Sequence, residues 1–132
     1  MVREPASFDE VVAPGLGGTI QAAIDRCREG GAILLQPGTY DLKEAVRIIY
    51  EVHVFGRGLA RLRAANCDGI RCHAAVSTLD GLVVERTRGS AEFIGVSLTG
   101  GRARLQNSVV TGAFELGVAV GRGADPVIVS CR

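Results

Sequence analysis

Three stretches of the chain, GIRCHAAVSTLDGLVV (Gly69–Val84), GVSLTGGRARLQNSVV (Gly95–Val110) and GVAVGRGADPVIVSCR (Gly117–Arg132), can be laid over one another. Their opening glycines lie 26 and then 22 residues apart, a period that suits a solenoid and is too long for a hairpin meander. Each copy begins with Gly and alternating apolar residues, passes a polar or Gly-rich bend, and reaches a small turn residue at Gly81, Asn107 or Ser130.

The alternation assigns faces. Ile70, Cys72 and Ala74 point inward in the first copy, Val96 and Leu98 in the second, Val118 and Val120 in the third. Leu79, Leu105 and Ile128 take the same role on the following strand. Stacked at the roughly 4.8 Å spacing of paired strands, like meets like inside. The outward positions do not agree between copies: Arg71, Ser97 and Ala119; His73, Thr99 and Gly121; Thr78, Arg104 and Val127.

The composition is consistent with stacked layers. Of 132 residues, 18 are Gly, aromatics make up 5% and Trp is absent, so the core has to be built from Val, Ile, Leu and Ala. Small β-branched residues repeat well from layer to layer. No apolar run approaches the ~18 residues of a membrane span, and MVREPASFDEVV carries charge where a signal peptide has its apolar segment. A net charge of +1 provides no long-range attraction for nucleic acid. Neither a nucleic-acid nor a membrane partner is expected. Cys27, Cys67, Cys72 and Cys131 show no zinc spacing. Cys27 and Cys72 fall on apolar phases, as buried free thiols do. An intracellular, reducing location is the expectation.

Residues 1–18 read as an N-terminal arm. Thr19 then offers an N-cap oxygen, and Ile20, Ala23, Ile24 and Cys27 form one apolar stripe before Gly30 and Gly31 end a helix placed at 19–29. Such a helix would cover the hydrophobic cross-section and unpaired edges of the first coil. Strands follow at Ala32–Leu35, Thr39–Leu42 and Ala45–Ile49, and another begins at Val52 and Val54 and closes at Gly56 and Gly58.

Two segments carry a resemblance. TIQAAIDRCREGGAILLQPGTYDL (Thr19–Leu42), continued by IIYEVHVFGRG (Ile48–Gly58), resembles the entry segment of the pectin-lyase-like superfamily. The coils ending GRGADPVIVSCR are similar to the intracellular β-helix repeats of some F-box substrate adaptors and of the Shc SH2-domain-binding protein group. The resemblance implies an all-β, right-handed, single-stranded parallel β-helix of four to five coils over 19–132, with a capping α-helix. It also allows a comparison with known activities. Polygalacturonase-like glycosidases resemble one another in NTD, DD, GH and RIK strings, through which carboxylates protonate the leaving oxygen and activate water. Here only Asn66-Cys67-Asp68 comes near. Pectate lyases use Asp-bound calcium and an Arg base, and here Asp80 is followed one coil on by Gln106. Asp68, Glu92 and Glu115 form the one carboxylate column, read as a solvated turn edge. His53 and His73 sit singly on outward phases and read as surface residues. No catalytic residue, metal or cofactor is assigned.

Arg61, Arg63, Arg86, Arg88, Arg102 and Arg104 occupy turns and second strands of three consecutive coils. As a basic stripe they could take an acidic peptide or phosphate by bidentate hydrogen bonds; as solvated edge residues they keep the sheet soluble. The last repeat stops just after its turn, so a truncated or uncapped C-terminal coil is expected, open to end-to-end self-association. The functional expectation is a non-catalytic scaffold within a larger intracellular protein, binding a protein partner. The competing expectation is a polysaccharide lyase or glycoside hydrolase, carried by fold analogy alone.

Overall fold

The computed structural model describes residues 3–16, 18–73, 76–86, 93–112, 114, 116–121, 124 and 126–132. It is a parallel β-solenoid of about four turns with one short N-terminal helix. In chain order the elements are β1 (Glu10–Val12), β2 (Gly15–Leu16), α1 (Gly18–Arg26), β3 (Gly31–Leu35), β4 (Gly38–Leu42), β5 (Val46–Ile48), β6 (Val52–Ala64), β7 (Ile70–Cys72), β8 (Thr78–Arg86), β9 (Ile94–Leu98), β10 (Arg104–Gln106), β11 (Val109–Gly112), β12 (Leu116–Val120) and β13 (Val127–Val129).

These strands form three sides. The first stacks β1, β3, the front half of β6, the front half of β8, β10 and β13; the second stacks β2, β4, the rear halves of β6 and β8, and β11. The third is the four-stranded sheet β5-β7-β9-β12. Every pairing is parallel, and the register carries the repeat from coil to coil: Val54 lies on Leu79, Leu79 on Leu105, and Leu105 on Ile128. On the third side Ile70 lies on Val96, and Val96 on Val118.

The inward assignment is found for Ile70, Cys72, Leu79, Val96, Leu98 and Leu105, all buried. Ala74 lies outside the described residues. Val120 and Ile128 share the register of buried Leu98 and Leu105 yet stay exposed, because β12 and β13 are edge strands. The turn residues Gly81, Asn107 and Ser130 all have positive φ, at 67°, 52° and 53°. One left-handed turn between the first two sides thus recurs in successive coils, which is why each copy places a small or turn-forming residue there.

The opening glycine of each repeat has a different cause. A Cβ on Gly69 would lie 2.3 Å from the carbonyl oxygen of Gly95, and one on Gly95 would lie 2.5 Å from that of Gly117. The corner entering the third side stacks backbone on backbone, with no room for a side chain.

Helix α1 lies against β1, β3 and β5 and buries Ile20, Ala23, Ile24 and, just past its end, Cys27. Gln21 projects from it onto the free edge of β5. Its Oε1 accepts from the Arg47 N–H (2.8 Å) and its Nε2 donates to the Arg47 carbonyl (3.1 Å). One carboxamide thereby satisfies both main-chain groups that an edge strand leaves unpaired. The Tyr50 hydroxyl, within reach of the Ile24 and Cys27 carbonyls, closes the helix C-terminus.

Two features depart from the sequence expectation. Part of the N-terminal arm is strand: β1 pairs with β3 and β2 with β4, so the first coil begins at Glu10. A three-residue strand with only one buried valine, Val12, has too little alternation to register as a period. In addition, β6 does not close at Gly56; it turns the corner through a bulge between Phe55 and Ala60 and runs on to Ala64.

Candidate interaction surface

The six arginines of the expected stripe are not brought together. Arg61 and Arg63 point outward from β6 on the second side, and Arg63 stands in register between Asp41 of β4 and Glu85 of β8. Its guanidinium meets Glu85 at 3.4 Å, so alternating charges across three strands neutralise it. Arg104 lies half-buried on the first side beside Thr78, and Arg102 is exposed in the turn before β10. Arg88 lies outside the described residues.

Arg86 corrects the stripe most sharply. It follows Leu82 and Val84 on the inward phase of β8 and is 1% exposed. Its Nε donates to the Ala65 carbonyl at 2.8 Å, and its guanidinium lies 4.8 Å over the Phe93 ring. A charged residue there satisfies a turn carbonyl within the frame and presents nothing to a partner.

Of the carboxylate column, Glu92 and Glu115 lie outside the described residues. Asp68 is committed to its corner: Oδ1 accepts from the Ile94 N–H and Oδ2 from Arg71 Nε, both at 2.8 Å. The pairing of Asp80 with Gln106 is as expected, and Gln106 Nε2 donates to Asp80 at 2.8 Å.

His53 is better partnered than its isolation in the sequence implied. Nε2 lies 2.9 Å from Glu51 Oε2 and Nδ1 2.8 Å from Thr78 Oγ1. An ionised carboxylate only accepts, so Nε2 donates to Glu51 and the neutral ring accepts from the Thr78 hydroxyl. Thr78, expected on the surface, is 2% exposed; it is thus poorly placed to attack a substrate. His73, by contrast, is exposed and close to Thr99 Oγ1 on the next coil.

His53 opens onto a cleft of about 320 Å³ between the N-terminal arm and the first side, lined also by Arg3, Ser7, Asp9, Arg28 and Phe55. Side chains also pin the arm ahead of β1. Asp9 accepts from the Ala32 N–H (2.8 Å) and pairs with Arg28 (2.9 Å); Glu4 pairs with Arg57 (3.0 Å); and Phe8 packs edge-on against Phe55. The Ala32 N–H, and next to it Arg28, hold the Asp9 carboxyl below its ordinary value.

A second cleft, of about 270 Å³, opens over the corner that enters the third side, at the starts of β5 and β7. Arg47 and Arg71 lie directly opposite one another there, with Glu44, Asn66, Asp68 and Phe93 around them. Sequence reasoning placed Arg71 outward but missed its partner. The signal was the likeness of Val46-Arg47-Ile48 to Ile70-Arg71-Cys72, one coil before the recognised repeat.

Cys27, Cys67 and Cys72 are buried free thiols, and burial pushes the thiols of Cys27 and Cys67 up from their ordinary value. Among the described residues no group of His, Cys, Asp and Glu is clustered as a metal site would need. No protein-family model matches the chain, and comparison with curated proteins and with solved structures likewise finds no match.

Proposed function

We propose that this chain is a non-catalytic β-helix scaffold that presents an outer surface to a protein partner, as one domain of a larger intracellular protein. In this reading it is kin to the pectin-lyase-like superfamily, with coils similar to the β-helix repeats of F-box adaptors and the Shc SH2-domain-binding protein group. The observation that carries it is how the chemically capable side chains are used. Asp68, Asp80, Glu85 and Arg86 are each tied to the frame, and the Thr78 hydroxyl that His53 could activate is buried. Exposed apolar residues at two corners, Ile49, Val76 and Leu59, supply contact area of the kind protein interfaces use. The buried free thiols agree with a reducing compartment.

Two measurements test this reading. Incubation with polyuronides, with and without calcium, is expected to give no cleavage; saturable cleavage lost in Asp68→Asn or His53→Gln would establish the carbohydrate-active alternative instead. Photo-crosslinking groups placed at Ile49, Leu59 and Arg61 in the full-length protein in cells should give a discrete adduct from at least one site. Absence of an adduct from all three would count against a protein-binding surface.

A further inference from the structure

We propose that the cleft at the starts of β5 and β7 binds a phosphate group, clamped between Arg47 and Arg71. Independently of the scaffold reading, it starts from register. Arg47 and Arg71 are paired residues on adjacent parallel strands, each flanked by buried neighbours, Val46 and Ile48 in one strand and Ile70 and Cys72 in the other. Their side chains therefore leave the same face one strand spacing apart. Like charges placed directly opposite destabilise a sheet. The second side of this solenoid avoids that cost by alternating Asp41, Arg63 and Glu85; on the third side Arg71 pairs with Asp68 of its own coil at 2.8 Å, and Arg47 has no ion pair among the described residues.

The two arginines are held differently. The main chain of Arg47 is fixed through its N–H and carbonyl by Gln21, while its guanidinium makes no hydrogen bond or ion pair among the described residues. Arg71 spends Nε on Asp68, and Asp68 is itself anchored by the Ile94 N–H. Arg71 lines the cleft with its terminal nitrogens making no hydrogen bond among the described residues, and a guanidinium has the fork geometry that matches phosphate oxygens. Asn66 lines the same space. Asp68 offsets the charge of Arg71, and a second opposing charge at the rim is Glu44, exposed and without an ion pair among the described residues. It sets a ceiling on affinity that its neutralisation should lift.

The test is an NMR titration that follows the arginine Nε–H signals. The probes are inorganic phosphate, a phosphoserine peptide and the same peptide unphosphorylated, at matched ionic strength with chloride as control. Saturable shifts are expected at Arg47 and Arg71 with phosphate and phosphopeptide. Arg47→Gln should weaken binding roughly tenfold or more, Glu44→Gln should tighten it, and Arg61→Gln on the other side should leave it unchanged. Arg71→Gln should weaken it too, but it also frees Asp68, so Arg47→Gln is the decisive variant. A phosphopeptide that binds more tightly than free phosphate places the group on a macromolecule, and equal affinities place it on a free anion; both uphold the clamp. Absence of a saturable shift with either probe, or equal weakening by Arg61→Gln and Arg47→Gln, would overturn it.

Discussion

Alanine placed at each opening glycine of the repeat should give a graded series that reports directly on coil stacking. At Gly69 the new methyl would meet the Gly95 carbonyl oxygen at 2.3 Å and Val84 Cγ1 at 2.5 Å; at Gly95 it would meet Val110 Cγ1 at 2.4 Å and the Gly117 carbonyl oxygen at 2.5 Å. At Gly117 its nearest neighbour would be Val110 Cγ1 at an ordinary 3.7 Å. To regain even 3.0 Å, the coil above Gly69 must move out by roughly 0.7 Å and that above Gly95 by roughly 0.5 Å. The obstructing oxygens belong to the main chain, so no rotamer change relieves them, and the shift also stretches the 3.0 Å bond from the Gly69 N–H to the Ile94 carbonyl. Overpacking of this kind costs about 1–3 kcal/mol and a weakened buried hydrogen bond about 1 kcal/mol. Against this, alanine returns about 0.4–1 kcal/mol by restricting the unfolded chain. Gly69→Ala and Gly95→Ala should therefore each lose about 2–3 kcal/mol, and Gly117→Ala should be neutral or gain up to about 1 kcal/mol. In thermal unfolding followed by circular dichroism, the first two should lower Tm by roughly 6–12 °C, and the third should leave it level or raise it slightly. Equal losses at all three positions, or a neutral Gly95→Ala, would refute stacking as the reason for these glycines.

Three further outcomes follow from the same geometry. Arg86→Met should cost about 1–3 kcal/mol in urea unfolding, because the Ala65 carbonyl loses its donor, whereas Arg61→Met, on the exposed face, should stay within about 0.5 kcal/mol. Asn107→Ala should cost about 1–2 kcal/mol by placing a Cβ-bearing residue at φ 52° and removing the side-chain bond to Asp80, and Asn107→Gly, which loses that exposed bond but adopts this φ freely, should cost less. The Asp9 carboxyl sits below its ordinary value of 3.8 in the folded chain, so the unfolded chain binds its proton more readily. Its contribution to stability is complete above the ordinary value and is lost as pH falls through the lowered one. Asp9→Asn should remove that acid-side loss while lowering stability at neutral pH, as read from urea midpoints across the acid range.

The inner and outer rows of this solenoid were not equally open to sequence reading, for a physical reason. Inner positions tolerate error in alignment: any apolar residue on the right phase finds another above it, so Leu79, Leu105 and Val96 could be placed without knowing the length of each corner. Outer positions have no such tolerance. The first side steps by 21 residues from Ile33 to Val54, 25 to Leu79, 26 to Leu105 and 23 to Ile128. A neighbour on the surface is therefore known only once every intervening corner has been counted. His53 found Thr78 and Arg47 found Arg71 across such uneven steps, and both pairs were missed. Arg86 failed differently. Its phase, two residues on from Val84, points inward, whereas its charge alone argues for the surface. A long cation at the end of an inward row is able to cross the core and satisfy a carbonyl at the corner, as Arg86 does with Ala65. Parity should therefore outweigh residue type at strand ends in a stacked fold, while surface pairs require the register itself. In such a fold the polar chemistry of the surface lies on the outer rows, where single-sequence reading is weakest.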